Sequence, residues 1–562
     1  MRLIATLAVA VATGIAGLVP GPGFATRAFA VTGAGFVGVA VLLWVILGAR
    51  DMKPGIGAIK RHAPSLLLAV ACTAFVFWCN PPRLKVFYDE AMLAAVARGL
   101  AETGTAYPAM EFDPGGFTFA TSVDKRPLLH PFLVGLAHLA TGARVENVYP
   151  VNAFAALAAL ASLYLLLARW TGRWCAAAVI PLAAGMPVFR FWVTSGGFEA
   201  LNLCFIALSG LFLARCAEQP TTRRAEILFL SLILASQCRY ESVVLWIGVL
   251  PLLPRLVRQG IFRQSQLIPA LPVLLLPVLW QRRAWMLDQF SSQIEFMPVG
   301  DPRTATFSLA NGVANLMPNL DVLLGFSPEY GYTPVVSVLA LLGLYAMLRQ
   351  ILGPGRGERE KALAILMGGA GLAGAALAAV VFSYLGGRLT APESNRIGLA
   401  FLPFLVVPAV FALHGIVALA PPSFRWLALA CAALHLAAWS PLATAERIPR
   451  WLNLQYEADR VLRFVERRTP TGRVLLVVDN PILYAIRDRW AIGFAAARER
   501  SRELAGRVRS GEIVAVLVLQ RVSLLNGGVY VRSALWPGAE VEEVGRIGLS
   551  RLSEMRVSAV HY

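Results

Sequence analysis

Apolar residues run along this chain in long blocks and not at alternate positions. The blocks cover residues 3–19, 28–47, 64–79, 151–168, 175–192, 201–213, 227–237, 243–253, 267–280, 334–348, 362–385, 397–417 and 426–441. Such blocks, nearly free of charge, predict helices that cross a bilayer, about 13 in all. The first block also fits a signal peptide, because Gly23-Phe24-Ala25 resembles a small-residue cleavage site. A second block follows at once, which favours a retained helical hairpin.

Two stretches break the pattern. Between residues 80 and 147 there is no clean span. Residues 90–102 read as an amphipathic helix lying on the membrane and stopped by Gly104. Residues 107–121 read as a loop rich in glycine, proline and aromatics. Residues 128–141 form an apolar run too short to cross, suited to an interfacial or re-entrant helix. Residues 282–333 read as a second long outer loop. From about residue 443 the blocks stop. Strands are predicted at 473–478, 513–519, 541–547 and 557–561, with helices at 480–489 and 495–509. That alternation predicts a small α/β domain. The expected organisation is an N-terminal hairpin with a basic cytoplasmic loop (1–60), a membrane module (61–442) and a soluble extracytoplasmic domain (443–562).

Composition sharpens this picture. Hydrophobic residues make up 57% of the 562 residues and charged ones only 15%, with a mean hydropathy of +0.63. Soluble domains carry about 25% charge, so the chain is read as a polytopic membrane protein. The net charge of +18 does not point to nucleic acid. Much of the excess sits in short loops between blocks, at Arg50, Lys53, Arg169, Arg173, Arg223, Arg255 and Arg349, where it sets orientation. The positive-inside rule and an odd number of spans then put residues 80–147, the turn after Trp192 and the C-terminal domain outside, in the periplasm if the cell is Gram-negative. The seven cysteines lie in or beside apolar blocks with no C-x-x-C spacing, and read as small buried hydrophobes. No N-x-[ST] acceptor site for glycosylation occurs.

The candidate chemistry collects on that outer face. Asp89 reads as a helix N-cap, a role that leaves its carboxylate ionised and able to act as a general base. Glu90 follows in the first turn, where a negative charge suits the helix dipole. Asp124, Lys125 and Arg126 precede the short apolar run. Two readings stay open for the basic pair: anchoring beside lipid phosphates, or clamping the phosphate of a lipid-linked substrate. Glu199 sits in an outer turn after Ser195-Gly196-Gly197. Arg239 and Glu241 interrupt what is otherwise one apolar run, where ionisable groups are costly and are functional candidates by default; they also suit simple pairing. Arg396 opens a late apolar block.

At these residues the chain resembles the GT-C superfamily of polyprenyl-phosphate-sugar glycosyltransferases, in particular the bacterial aminoarabinose transferases and protein O-mannosyltransferases. The first outer loop opens on Tyr88-Asp89-Glu90 and closes on Asp124-Lys125-Arg126-Pro127 with His130. Asp124 stands where the family has Glu, and Arg126 where it has Pro. The resemblance covers roughly residues 60–419. It implies transfer of a sugar from a polyprenyl-phosphate donor to an acceptor glycan, lipid or protein. Asp89, with Glu90 beside it, would be the base or acceptor orienter, and Glu199 would bind donor or acceptor. Asp124, Lys125, Arg126, His130, Arg239 and Arg396 would serve the lipid phosphate. No obligate cofactor is implied; a divalent cation is compatible, since some relatives use one. Three other readings stand beside this one: an oligosaccharide ligase with a pyrophosphate-linked donor, a lipid-linked-sugar transporter, and an assembly scaffold. The transporter would place charge at mid-membrane and show internal repeats, neither of which the sequence has.

Overall fold

The computed structural model describes residues 2–51, 56–85, 87–288, 307–326, 331–353, 357–419, 421, 424, 426–444, 454–469, 473–524, 540–549 and 553–561. Its contacts divide the chain into two units. The first comprises Met1–Pro82, Lys125–His130 and Tyr149–Arg447; the second comprises Arg83–Asp124, Pro131–Val148 and Ile448–Tyr562.

The first unit is a helical bundle. Helix forms in every apolar block, but the blocks are not 13 equal spans. Among the described residues, eight helices are long and apolar enough to cross a membrane: Pro22–Asp51, Lys60–Cys79, Val145–Leu167, Glu199–Glu218, Tyr240–Arg258, Pro334–Leu352, Glu358–Ser383 and Arg396–Val417. A ninth is made if Gly172–Gly185 and Pro187–Val193 count together. Block 227–237 lies in a helix of 17 residues, and block 267–280 runs from a turn through the 3-10 segment Leu271–Leu275 into the 13-residue helix Leu276–Asp288. At about 1.5 Å per residue, even 17 residues fall short of a hydrocarbon core of about 30 Å.

Local sequence explains the breaks. The pair Gly172–Gly185 and Pro187–Val193 bends by 69°. Pro187 offers no N–H to the preceding turn, and Met186 before it is extended at φ −68°, ψ 130°. Residues Tyr240–Leu252 wind as a 3-10 helix, and Gly248 lets it approach the helix Glu358–Ser383. A Cβ on Gly248 would lie 2.9 Å from the Gly369 oxygen, the close backbone contact that small residues permit between membrane helices. At the other end of the bundle Asp51 pairs with Arg215 at 2.9 Å and Arg224 at 3.4 Å. These pairs tie the N-terminal hairpin to the helices Glu199–Glu218 and Thr222–Cys238.

The second unit is built on one seven-stranded sheet. Its strands are β1 (Ala109–Asp113), β2 (Gly116–Phe119), β3 (Val474–Val477), β4 (Ala491–Ile492), β5 (Ala515–Ser523), β6 (Glu540–Gly548) and β7 (Ser553–His561), in the order β2-β1-β4-β3-β5-β7-β6. β3 is parallel to β4 and β5, and Leu475, Val477, Ile492, Leu504, Val516 and Val518 form the core beside them. The predicted C-terminal strands are present. The stretch 107–121, expected as loop, instead holds a hairpin that extends this sheet. Glu111 accepts the Gly493 N–H at 2.7 Å, and Arg500 pairs with the buried Asp113.

Two further differences concern the two long loops. The helix Phe87–Thr103 does end before Gly104, at φ +71°. It does not lie amphipathic on a surface, because Glu90, Ala91 and 93–99 are all buried. Arg98 bridges Glu102 at 2.6 Å and Asp488 at 2.5 Å, with the Phe117 ring 4.0 Å from its guanidinium. Much of 282–333 lies outside the described residues, at 289–306 and 327–330. Its described part includes the end of one helix and the whole of another, Leu309–Leu324. The boundary placed at 443 falls inside the helix Leu427–Thr444, and residues 445–453 lie outside the described residues.

The hairpin's anchorage is testable. Arg500→Ala removes the charged partner of a buried carboxylate, a contact worth about 1.5–3 kcal/mol. Amide exchange over 109–119 should accelerate about 10- to 100-fold while the bundle is unchanged. Unaltered exchange would show that the hairpin is held without Arg500.

Candidate functional site

Three elements of the first unit bring acids and bases together. The helix Glu199–Glu218 starts directly after the turn 194–198, and the turn is fixed by buried polar contacts. Ser195 Oγ donates to the Trp192 oxygen at 2.8 Å and accepts the Gly197 N–H at 3.2 Å. The Asn152 amide donates to the oxygens of Ser195 at 2.8 Å and Gly197 at 2.7 Å. A Cβ on Gly197 would collide with Glu199 Oε2, so glycine is required for the carboxylate to fold back over the turn.

Arg239 caps the helix Thr222–Cys238 in extended conformation. Its guanidinium grips Glu241 with two hydrogen bonds, Nη2 to Oε1 at 3.0 Å and Nε to Oε2 at 3.3 Å. Its Nη1 lies 3.6 Å from Glu199 Oε1, and Arg396 Nε lies 3.7 Å from the same oxygen. The Phe198 ring sits 5.1 Å from the Arg239 guanidinium. Behind Arg396, Asn395 accepts the Trp192 indole N–H at 2.8 Å and donates to the Leu389 oxygen at 2.9 Å. Ser242 donates to Asn202 at 2.7 Å and joins the Glu199 helix to the 3-10 segment.

The arrangement is electrically unequal. Glu241 is saturated by Arg239. Glu199 is buried and attracted by two guanidiniums, yet neither of its oxygens accepts a hydrogen bond, and Arg239 Nη1 donates none. Buried polar groups are normally satisfied. Here acceptor capacity on Glu199 and donor capacity on Arg239 face one another just beyond bonding distance.

The remaining candidates fall as follows. Lys125 is half-buried and Arg126 buried, both in the first unit. His130 is buried, and burial pushes its ring down to about 4, so it is neutral near pH 7 and can hydrogen-bond but not neutralise a phosphate. It stands beside Asn152. Asp89, Glu90 and Asp124 belong to the second unit. Asp89 is the third residue of the helix Phe87–Thr103 and not its cap. Glu90 is buried and accepts the backbone N–H of Lys85 at 2.7 Å. The Lys85 ammonium, itself buried, is pushed down to about 7 by desolvation, which the Glu90 charge opposes.

The structure thus brings Glu199, Arg239 and Arg396 together and adds Glu241. Sequence reasoning missed Asn152, Trp192, Asn395 and Lys85. Only Asn152 left a signal, as an amide inside an apolar span. Among the described residues no group of three or more His, Cys, Asp or Glu side chains is placed to hold a metal ion.

Comparison with known proteins bears on this geometry. The family described as dolichyl-phosphate-mannose-protein mannosyltransferase matches residues 125–280, a stretch that includes Lys125, His130, Glu199, Arg239 and Glu241. None of the curated proteins matches the chain. Among solved structures, ArnT from Cupriavidus metallidurans in the apo state aligns with a TM-score of 0.54 at 14% identity, over 89% of this chain and 98% of that one. The same protein bound to undecaprenyl phosphate aligns with a TM-score of 0.53 at 13% identity, again over 89% and 98%. At such identities the likeness is one of fold. With eight or nine apolar spans among the described residues, a C-terminal β-sheet unit and the matched family segment, the chain is a multi-pass membrane protein of GT-C-like fold, similar to the glycosyltransferases of that superfamily.

Proposed function

We propose that this protein transfers a sugar from a polyprenyl-phosphate donor to an acceptor hydroxyl or amine on a glycan, lipid or protein, at the outer face of a bacterial inner membrane, with its C-terminal unit in the periplasm. The observation that carries the reading is the Glu199–Arg239–Arg396 group, Glu199 and Arg239 buried and Arg396 partly so, with an unsatisfied guanidinium nitrogen and an unsatisfied carboxylate at one place. Such a pair suits a ligand that is both anionic and rich in hydroxyls. The undecaprenyl phosphate bound to a protein of the same fold supports a lipid-phosphate donor.

In this reading the acceptor oxygen or nitrogen attacks the anomeric carbon, and the bond from that carbon to the phosphate oxygen breaks. The departing phosphate keeps the electron pair. Arg239, Arg396 and Lys125 balance its charge, which grows in the transition state. Glu199 accepts hydrogen bonds from sugar hydroxyls. Asp89, by its place in the Tyr88-Asp89-Glu90 motif, takes the acceptor's proton, with Glu90 beside it holding the chain at Lys85. Asp124 and Arg126 border Lys125 on either side, and neutral His130 serves as a hydrogen-bonding group. No step is assigned to a metal.

The test uses the full-length protein in lipid nanodiscs with labelled polyprenyl-phosphate sugars. Mass spectrometry of envelope glycans and lipids from a deletion strain supplies the candidate acceptor. The expected result is free polyprenyl phosphate released in step with sugar appearing on acceptor. Consumption only of pyrophosphate-linked donors would identify a ligase instead. Donor that crosses the bilayer intact would identify a transporter.

A further inference from the structure

The helix Leu309–Leu324 is amphipathic in the sense opposite to that of a soluble protein. A helix in water turns its apolar stripe inward. This one buries Asn311, Asn315 and Asn319, spaced four apart on one face, and exposes Leu309 (85%), Val313 (69%) and Met317 (65%) on the other. Two of the inward amides are bonded to backbone. Asn315 donates to the oxygens of Phe382 at 2.9 Å and Tyr384 at 3.0 Å, and Asn319 donates to Gly387 at 2.9 Å. Both ends are closed: Ser308 accepts the Asn311 N–H at 3.0 Å, and Gly325 stops the helix at φ +82°. The reversed pattern is therefore built into a finished element.

Sixteen residues reach about 24 Å, too short to cross, and Pro318 interrupts the backbone bonding. The helix is bonded to the next span, which exposes apolar residues of its own. Helix Pro334–Leu352 shows Val335, Val338, Leu341 and Leu342 outward, and its Ser337 donates to the Leu323 oxygen at 2.9 Å. Apolar faces on a membrane-crossing helix and on the helix bonded to it have one natural occupant, the acyl chains that surround the span.

The polar face leads to the charged group. Asn319 Oδ1 accepts the Leu389 N–H at 2.6 Å. The Leu389 oxygen accepts from Asn395, whose own oxygen accepts from Trp192. Arg396 is the next residue. We propose that helix Leu309–Leu324 is a lipid-seated strap, its Leu309/Val313/Met317 face among the acyl chains of the bilayer, with Asn319 as the positioning residue that holds the 384–395 segment and so the placement of Arg396.

The test needs no sugar-transfer assay, so its failure is separate from failure of the proposed function. Spin labels are placed one at a time at Val313→Cys and Met317→Cys in the Cys431→Ser full-length protein in nanodiscs, with Ser510→Cys as the aqueous control. Oxygen should relax the first two more strongly than a water-soluble nickel complex, and the control should show the reverse. Stronger nickel relaxation at 313 and 317, or exclusion of both probes as expected if protein covers this face, overturns the lipid seat. In a second arm, Asn319→Leu should speed amide exchange across 384–395 about tenfold or more, as expected when buried backbone groups lose their partners, with 109–119 unchanged. Asn319→Asp, which keeps the acceptor for Leu389, should restore part of the protection. Equal exchange in wild type and Asn319→Leu overturns the positioning role.

Discussion

Arg239→Gln is expected to abolish polyprenyl-phosphate binding and to cost the bundle about 3–5 kcal/mol, the usual penalty for breaking a buried ion pair from one side. Arg239 makes both hydrogen bonds that satisfy Glu241, and it is one of two guanidiniums facing Glu199. Glutamine offers a shorter, neutral donor, so two buried carboxylates are left with Arg396 as the nearer remaining charge. Loss of stability alone does not distinguish a functional group from a structural one. The companion double variant Arg239→Met with Glu241→Met removes the whole pair. Apolar replacement of a buried pair is often neutral or stabilising, so thermal unfolding in detergent should recover most of the loss. Donor binding, read by native mass spectrometry with polyprenyl phosphate, should not recover. Retained binding in either variant would make the Arg239–Glu241 pair a structural tie only.

How much of this was legible in the sequence depends on the distance between partners. The spans were readable because apolar blocks carry their own signal, yet their number was not. Pro187 and the 3-10 winding of Tyr240–Leu252 divide or stretch blocks that look uniform as composition. Glu199, Arg239 and Arg396 stood out because charge inside apolar sequence is expensive and demands a reason. Their supports did not, since Trp192 and Asn395 are ordinary residues until folding brings them together across 203 positions. The hairpin β1–β2 was hidden for the same reason. Its strands have only five and four residues, and the strand it pairs with, β4, is contributed by residues 491–492. Helix Leu309–Leu324 was missed because asparagines at every fourth position break up the apolar run that would have announced it. At Asp89 the local rule misled: Asp before a helical pattern suggests a cap, but the helix already begins at Phe87.

That last difference sharpens the test of Asp89. As the third residue of the helix, its carboxylate meets the positive end of the dipole, an interaction worth about 0.3–1 kcal/mol. Asp89→Asn removes this small term and the negative charge while keeping the side chain's shape, so the protein should stay folded and bind donor lipid normally. If Asp89 is the general base, transfer should fall by about 10²–10⁴-fold, the range over which such catalysis acts. Lys125→Ala should behave differently. It removes a contact to phosphate that exists before the bond breaks, so donor binding weakens together with turnover. The split between the two variants, one defective in turnover alone and the other in both, is the signature expected of a base and a phosphate ligand. A purely helical role for Asp89 predicts something else: a slightly lower melting temperature and undiminished transfer in Asp89→Asn. That outcome would remove the motif's carboxylate from the chemistry and leave the Glu199–Arg239–Arg396 group as the place to look for it.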